Sequence, residues 1–133
     1  MSLLKIVMLV ALTSCGYGHD HSNIKNMDTS LLTHPIVKDA IDALQAGKAD
    51  AWFALFTADA ELYDDGNKMD LKKFFGAAIG HERFTSIDKV ENKGLDVYGR
   101  FHSDKWGDFK TYMKFHVNAE GKIYKLEIGQ ADY

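Results

Sequence analysis

Asp64 is the residue best placed for proton chemistry. It ends the stretch Ala60-Glu61-Leu62-Tyr63-Asp64, where alternation puts Ala60, Leu62 and Asp64 on one face of a strand. Burial raises the pKa of an inward carboxyl, which then abstracts or donates a proton in a dehydration or isomerisation. Three histidines are partners by type. Strand alternation sets His116 opposite Met113 and Phe115, and His102 opposite Phe101, so both read as outward. His81, in the break Gly80-His81-Glu82, stands at a helix end where a pocket mouth would lie. A plainer reading stays open, because an Asp at the junction Asp64-Asp65-Gly66 can simply bond the backbone of a turn.

Other chemistries are less well supported. His19-Asp20-His21 has the donor types of a transition-metal chelate, but it lies in a Gly-, Asn- and Ser-rich stretch without further ligands nearby. The reading is a solvated tether, with no metal and no cofactor. One Cys in 133 residues excludes an intrachain disulfide framework and a Cys-rich zinc site. Sixteen Lys+Arg against nineteen Asp+Glu, a formal charge of −3, argues against a nucleic-acid partner, which needs clustered cations. The length suits one domain, and 46% hydrophobic residues suit a globular core.

That one cysteine has a context of its own. Lys5 precedes an apolar run, residues 6–12, too short to span a bilayer as a helix but laid out as a secretory signal. Leu12-Thr13-Ser14-Cys15 resembles the bacterial lipobox. The resemblance implies a signal peptide over 1–14 and a diacylated Cys15 at the new N-terminus. Gly16, where an inner-membrane retention signal has Asp, favours the outer membrane, with the domain on the periplasmic side. Losing Lys5, the only charged side chain before Cys15, takes the formal charge from −3 to −4. The anchor is then lipid, and residues 15–33 read as a flexible tether.

The elements that must position Asp64 follow from periodicity. Pro35 suits a first helical turn; Ile36, Val37, Ala40, Ile41 and Leu44 share one face, and Gly47 stops the helix. Asp50 reads as the cap of a short helix over 51–56, with Trp52, Leu55 and Phe56 inward. Asp65-Gly66-Asn67 is a turn, and Asp70 caps a third helix striped by Leu71, Phe74, Phe75 and Ala78. Strands are predicted over 84–91, 95–103, 109–117 and 122–128, divided by hairpin turns. In the third of these, Phe109, Thr111, Met113, Phe115 and Val117 oppose Lys110, Tyr112, Lys114 and His116. Helices followed by such strands predict an α+β fold with an antiparallel sheet covered on one side.

This order is similar to the nuclear transport factor 2-like superfamily, in particular its SnoaL-like members, over residues 34–130. The most telling stretch is residues 43–60, with its Ala46-Gly47-Lys48-Ala49-Asp50 break and its Thr57-Ala58-Asp59-Ala60 entry into the first strand; Gly121-Lys122-Ile123 matches the last turn. The resemblance implies one domain over 34–133, a strongly curved antiparallel sheet wrapped as a cone around about three helices. Trp52, Phe56, Leu62, Phe74, Phe101, Thr111, Met113 and Phe115 would then line the pocket, although filling a core is the default for such side chains. It also implies a homodimer through a face bearing Tyr98, Arg100, Tyr112, Lys114 and His116.

Ketosteroid isomerase provides a position-by-position test. Asp64 falls where that enzyme has its general base, but its oxyanion donors fall near Ala40 and Met113, which donate nothing. Losing one such donor costs about 3–4 kcal/mol of transition-state stabilisation, so this chemistry is not expected. The fold hosts enzymes and binders alike. Three readings follow: an envelope lipoprotein holding a small, partly apolar ligand; a small lyase or isomerase using Asp64; and a non-catalytic interaction module.

Overall fold

The structure, a computed structural model, describes residues 27–133. The expected signal peptide, Cys15 and the His19-Asp20-His21 motif lie outside the described residues. Helix α1 (Pro35–Ala46) is closed at both ends by specific bonds. His34 Nδ1 accepts the Ile36 N–H at 3.3 Å, and Pro35 takes the first position, where a missing N–H costs nothing. Gly47, at φ 70°, donates to Leu44 O and Lys48 N–H to Ala43 O, the paired bonds of a Schellman ending. Its inward side is Val37, Ala40, Ile41, Ala43 and Leu44.

Helix α2 (Ala49–Phe53) starts earlier than its sequence suggests. Lys48 occupies the cap without a side-chain bond, and Asp50 stands inside the first turn, where its charge still complements the helix dipole. The link from α1 is too short to leave Asp50 outside. Phe56 accordingly begins strand β1 (Phe56–Asp64). Helix α3 (Leu71–Ala78) is capped as its sequence predicts: Asp70 Oδ1 accepts Lys73 N–H at 3.0 Å.

Strands β2 (Asn67–Met69), β3 (Glu82–Glu91), β4 (Asp96–Ser103), β5 (Gly107–Val117) and β6 (Ile123–Gln130) complete a six-stranded sheet of order β2-β1-β6-β5-β4-β3. The sheet is mixed, which corrects the all-antiparallel expectation. β1 runs parallel to β6, with Leu62 opposite Leu126 and Asp64 opposite Ile128. The other four pairings are antiparallel. Turn signals fix direction only between consecutive strands, and β1 reaches β6 across α3 and four other strands. β2 is new: Asp65 and Gly66, at φ 51° and 86°, form a two-residue turn that folds the chain back on β1.

The helices cover one face of the sheet in a single apolar core. That core begins ahead of residue 34. Leu32 is 5% exposed and Met27 packs against the core cluster, while Asp28, Ser30, Leu31 and Thr33 are exposed. Gln45, on the more polar side of α1, holds the edge strand: it donates to Phe84 O at 2.9 Å and accepts Phe84 N–H at 2.7 Å. One amide thus pairs both backbone groups of Phe84 on this edge.

The sheet bends where its register slips, twice in β3 between Phe84 and Lys89. Gly99 stands opposite that irregular stretch. A Cβ there would overlap the Ser86 carbonyl oxygen and press on Phe84 Cδ1 at 3.0 Å. Gly99→Ala is therefore expected to destabilise the fold by about 3 kcal/mol, read as a lower denaturation midpoint in urea. An unchanged midpoint would show that the bulge tolerates the methyl group.

Candidate functional site

Register places the candidate acid in the core. Asp64, Ile128, Met113, Val97 and Val90 form one row across the sheet, each opposite the next. Asp64 is 0% exposed, and so are Ile128, Met113 and Leu62. Two strand spacings, roughly 10 Å, separate Asp64 from Met113. Thr111, one step along β5 on the same face, is fully buried and donates Oγ1–H to Gly129 O at 2.7 Å. Met113 and Ala40 are buried where donors to an enolate oxygen would be required, and neither side chain can donate.

Seven of the eight residues proposed to line a pocket belong to the apolar core cluster or pack on it, and the eighth, Thr111, is buried. Trp52, Leu62, Phe101, Thr111, Met113 and Phe115 are almost wholly buried, Phe56 is 8% exposed, and Phe74 is half-buried against Phe75. Trp52 packs on Phe75 at 4.6 Å and on Phe56 at 5.1 Å between ring centroids. Its indole N–H is the buried side-chain polar atom, among the described residues, that has no hydrogen-bond partner. An orphan donor of this kind costs about 1–3 kcal/mol.

The opposite face of the sheet carries Tyr98, Arg100, Tyr112, Lys114 and His116. Tyr98 stands directly opposite Tyr112. Lys89 Nζ lies 4.6 Å from the Tyr98 ring centroid, and His116 Nε2 is 2.7 Å from Glu127 Oε2. Sequence reasoning missed Tyr133, whose ring lies across Tyr98 and under Lys110, with its hydroxyl donating to Asp88 at 2.6 Å. Burial and the bonded Asp88 push its phenol up to about 12. Burial likewise raises Tyr112, helped by the charges of Asp65, Glu127 and Asp64.

Two further features went unread. An open groove of about 850 Å³ lies between the end of α2, β1 and the start of α3, with Phe53, Phe56, Met69 and Leu71 among its walls and Glu61, Lys68 and Lys72 beside them. That volume suits a small ligand. The second feature is an ionisable cluster where β3 and β4 meet the β4–β5 turn. Ser103 Oγ donates to Glu82 Oε2 at 3.0 Å and accepts Lys105 N–H and Trp106 N–H. Asp104 faces His81 at 3.2 Å and His102 at 3.2 Å, and Asp108 faces His102 at 2.7 Å. Its signal was the pairing of Gly80-His81-Glu82 with His102-Ser103-Asp104, visible only once the register of β3 on β4 is known.

No protein-family model and no curated protein matches the sequence. Solved structures do. A candidate polyketide cyclase from Sinorhizobium meliloti matches at TM-score 0.61 and 21% identity, covering 76% of this chain and 99% of that one. A cystatin-like protein of unknown function from Xanthomonas campestris matches at 0.60 and 15%, covering 74% and 89%. The fold is cystatin-like. An NTF2-like protein of unknown function from Cytophaga hutchinsonii agrees, at TM-score 0.58 and 14% identity, covering 72% and 87%. At these identities the likeness concerns architecture, which accords with the NTF2-like and SnoaL-like resemblance of the sequence.

Burial pushes Glu82 up to about 7, against the bond from Ser103, and Asp104 adds to the rise. A carboxyl raised on folding binds its proton more tightly in the native state than in the unfolded one. Its contribution is therefore present at low pH and lost as pH rises from about 4.5 to about 7. Glu82→Gln removes that loss while keeping an acceptor for Ser103. The variant should match the parent at pH 4 and exceed it at pH 8 by on the order of 2 kcal/mol, measured by denaturant unfolding. Equal stabilities at pH 8 would contradict this assignment.

Proposed function

We propose that this chain is a cell-envelope lipoprotein, anchored through Cys15, whose NTF2-like domain binds a small, partly apolar molecule in its helix-covered interior. The observation that carries this reading is the Trp52 indole N–H, a buried donor left without a protein acceptor in apolar surroundings. A neutral ligand with a carbonyl or ether oxygen would satisfy that donor while burying its body against Phe75, Met113 and Phe115. The ligand class follows: mostly apolar, with one acceptor. A proton-shuttling lyase built on Asp64 has less support, since Met113 and Ala40 offer no second polar group.

A second reading is compatible with the first. Tyr98 opposite Tyr112, with Lys89 and Lys114 over the two rings, suits the pairing of two copies through the outer face. Sedimentation as a monomer at micromolar concentration would rule it out.

The binding reading is tested with a neutral acyl-naphthalene probe, whose emission reports both an apolar site and a hydrogen bond to its carbonyl. Saturable one-to-one binding with a blue-shifted emission is expected, weakened about tenfold by Trp52→Phe. Absence of saturable binding to the folded protein would refute it. The anchor is tested separately by mass spectrometry of the membrane fraction: a diacylated chain starting at Cys15 is expected, and an unmodified, full-length soluble chain would refute it.

A further inference from the structure

The cluster around Asp104 is a chain of contacts made through protons. His102 lies between two carboxylates, with Nδ1 on Asp108 at 2.7 Å and Nε2 on Asp104 at 3.2 Å. The other oxygen of Asp104 meets His81 Nδ1 at 3.2 Å. A neutral imidazole has one N–H and donates to one of two carboxylates, whereas an imidazolium donates to both. His102 thus has a carboxylate at each ring nitrogen and donates to both only when it carries two N–H groups. Asp104 thereby joins three segments: the link between α3 and β3 through His81, strand β4 through His102, and the turn to which it belongs. Its own backbone N–H donates to His81 O at 3.0 Å.

Ser103 ties the same turn to β3. Its hydroxyl, 1% exposed as a residue, accepts Lys105 N–H at 3.2 Å and Trp106 N–H at 3.1 Å while donating to Glu82. Glu82 is the inward acid of this corner, and the charges that act on it are Asp104, Lys105 and His81. Arg83, opposite His102 on β3, is the remaining charge of the corner. At Glu82 the Ser103 bond favours the charged form, but burial and Asp104 act the other way, so its net preference for the proton runs with that of the imidazoles. Taking up protons turns His81 and His102 into donors for Asp104 and Asp108, and removes a charge from the buried Glu82 beside Asp104. Releasing them leaves His102 a single N–H, so that one of its two carboxylates faces a ring lone pair, and leaves a charged acid at Glu82.

We propose that the β4–β5 turn is a proton-operated clasp, closed onto His81 and Glu82 when the cluster is protonated and released when it is not. The clasp sits at the end of the sheet where Phe84, Phe101 and Phe109 wall the helix-covered face, with ring centroids 5.0 and 5.8 Å apart. Its opening loosens that end while the row from Asp64 to Val90 stays in place. The device is independent of what the interior binds.

Amide hydrogen exchange on the full chain, corrected for intrinsic rates, reads the clasp directly. Protection of the Lys105 and Trp106 amides should be about tenfold higher at pH 5.5 than at pH 8.5, while that of Met113 stays level. Asp104→Asn, which removes the shared carboxylate, should flatten the profile, and so should His102→Gln, which keeps a neutral side chain of comparable reach. Equal turn protection at both pH values in the parent would overturn the proposal. So would a tenfold pH response that survives in either variant.

Discussion

Leu62 faces Leu126, and Asp64 faces Ile128, across the parallel contact of β1 with β6. This register decides what the helix-covered face contains. A slip of one residue would turn Glu61 and Tyr63 inward and send Asp64 to water. It is held from both sides, because the Asp65-Gly66 turn pins β2 on β1 while Asp65 N–H donates to Ile128 O at 2.9 Å. The rest of the row, through Met113 to Val90, inherits its facing from the antiparallel pairs beyond.

Local signals in the sequence carried far. Pro35, Gly47 and Asp70 marked helix ends that the structure has, and the alternation from Phe109 to Val117 assigned both faces of β5. The failures are nonlocal or competitive. The parallel direction of β1 on β6 is set by the path of the chain around the core, which no turn residue encodes. Asp50 looks like a cap by type, but the ending of α1 uses Lys48 and leaves Asp50 inside the next helix. β2 was hidden because Asn67 and Lys68 are poor strand formers, held by their partners on β1 rather than by propensity. Leu32 sits beyond a stretch of polar residues, yet it is buried.

The candidate site was legible in part. Alternation alone turned Asp64 inward, and its full burial agrees. The outward facing of His102 and His116 also followed from their neighbours. What the sequence did not reveal is how His81, Glu82, His102, Ser103, Asp104 and Asp108 meet, since those contacts depend on the pairing of two strands and on a turn that brings Asp108 back opposite His102. The two acids of the helix-covered face differ in surroundings. Asp64 is fully buried at the end of β1, whereas Glu82 is only partly buried, beside a hydroxyl and other charges.

The central claim is that this interior, rather than the outer sheet face or the open groove at β1, accepts a small molecule. Nuclear Overhauser contacts between the bound naphthalene probe and the protein's methyl groups test it most directly. The account predicts contacts to the methyl groups of Met113 and Thr111. Contacts confined to Leu71 and Met69, or to the rings of Tyr98 and Tyr112, would contradict it.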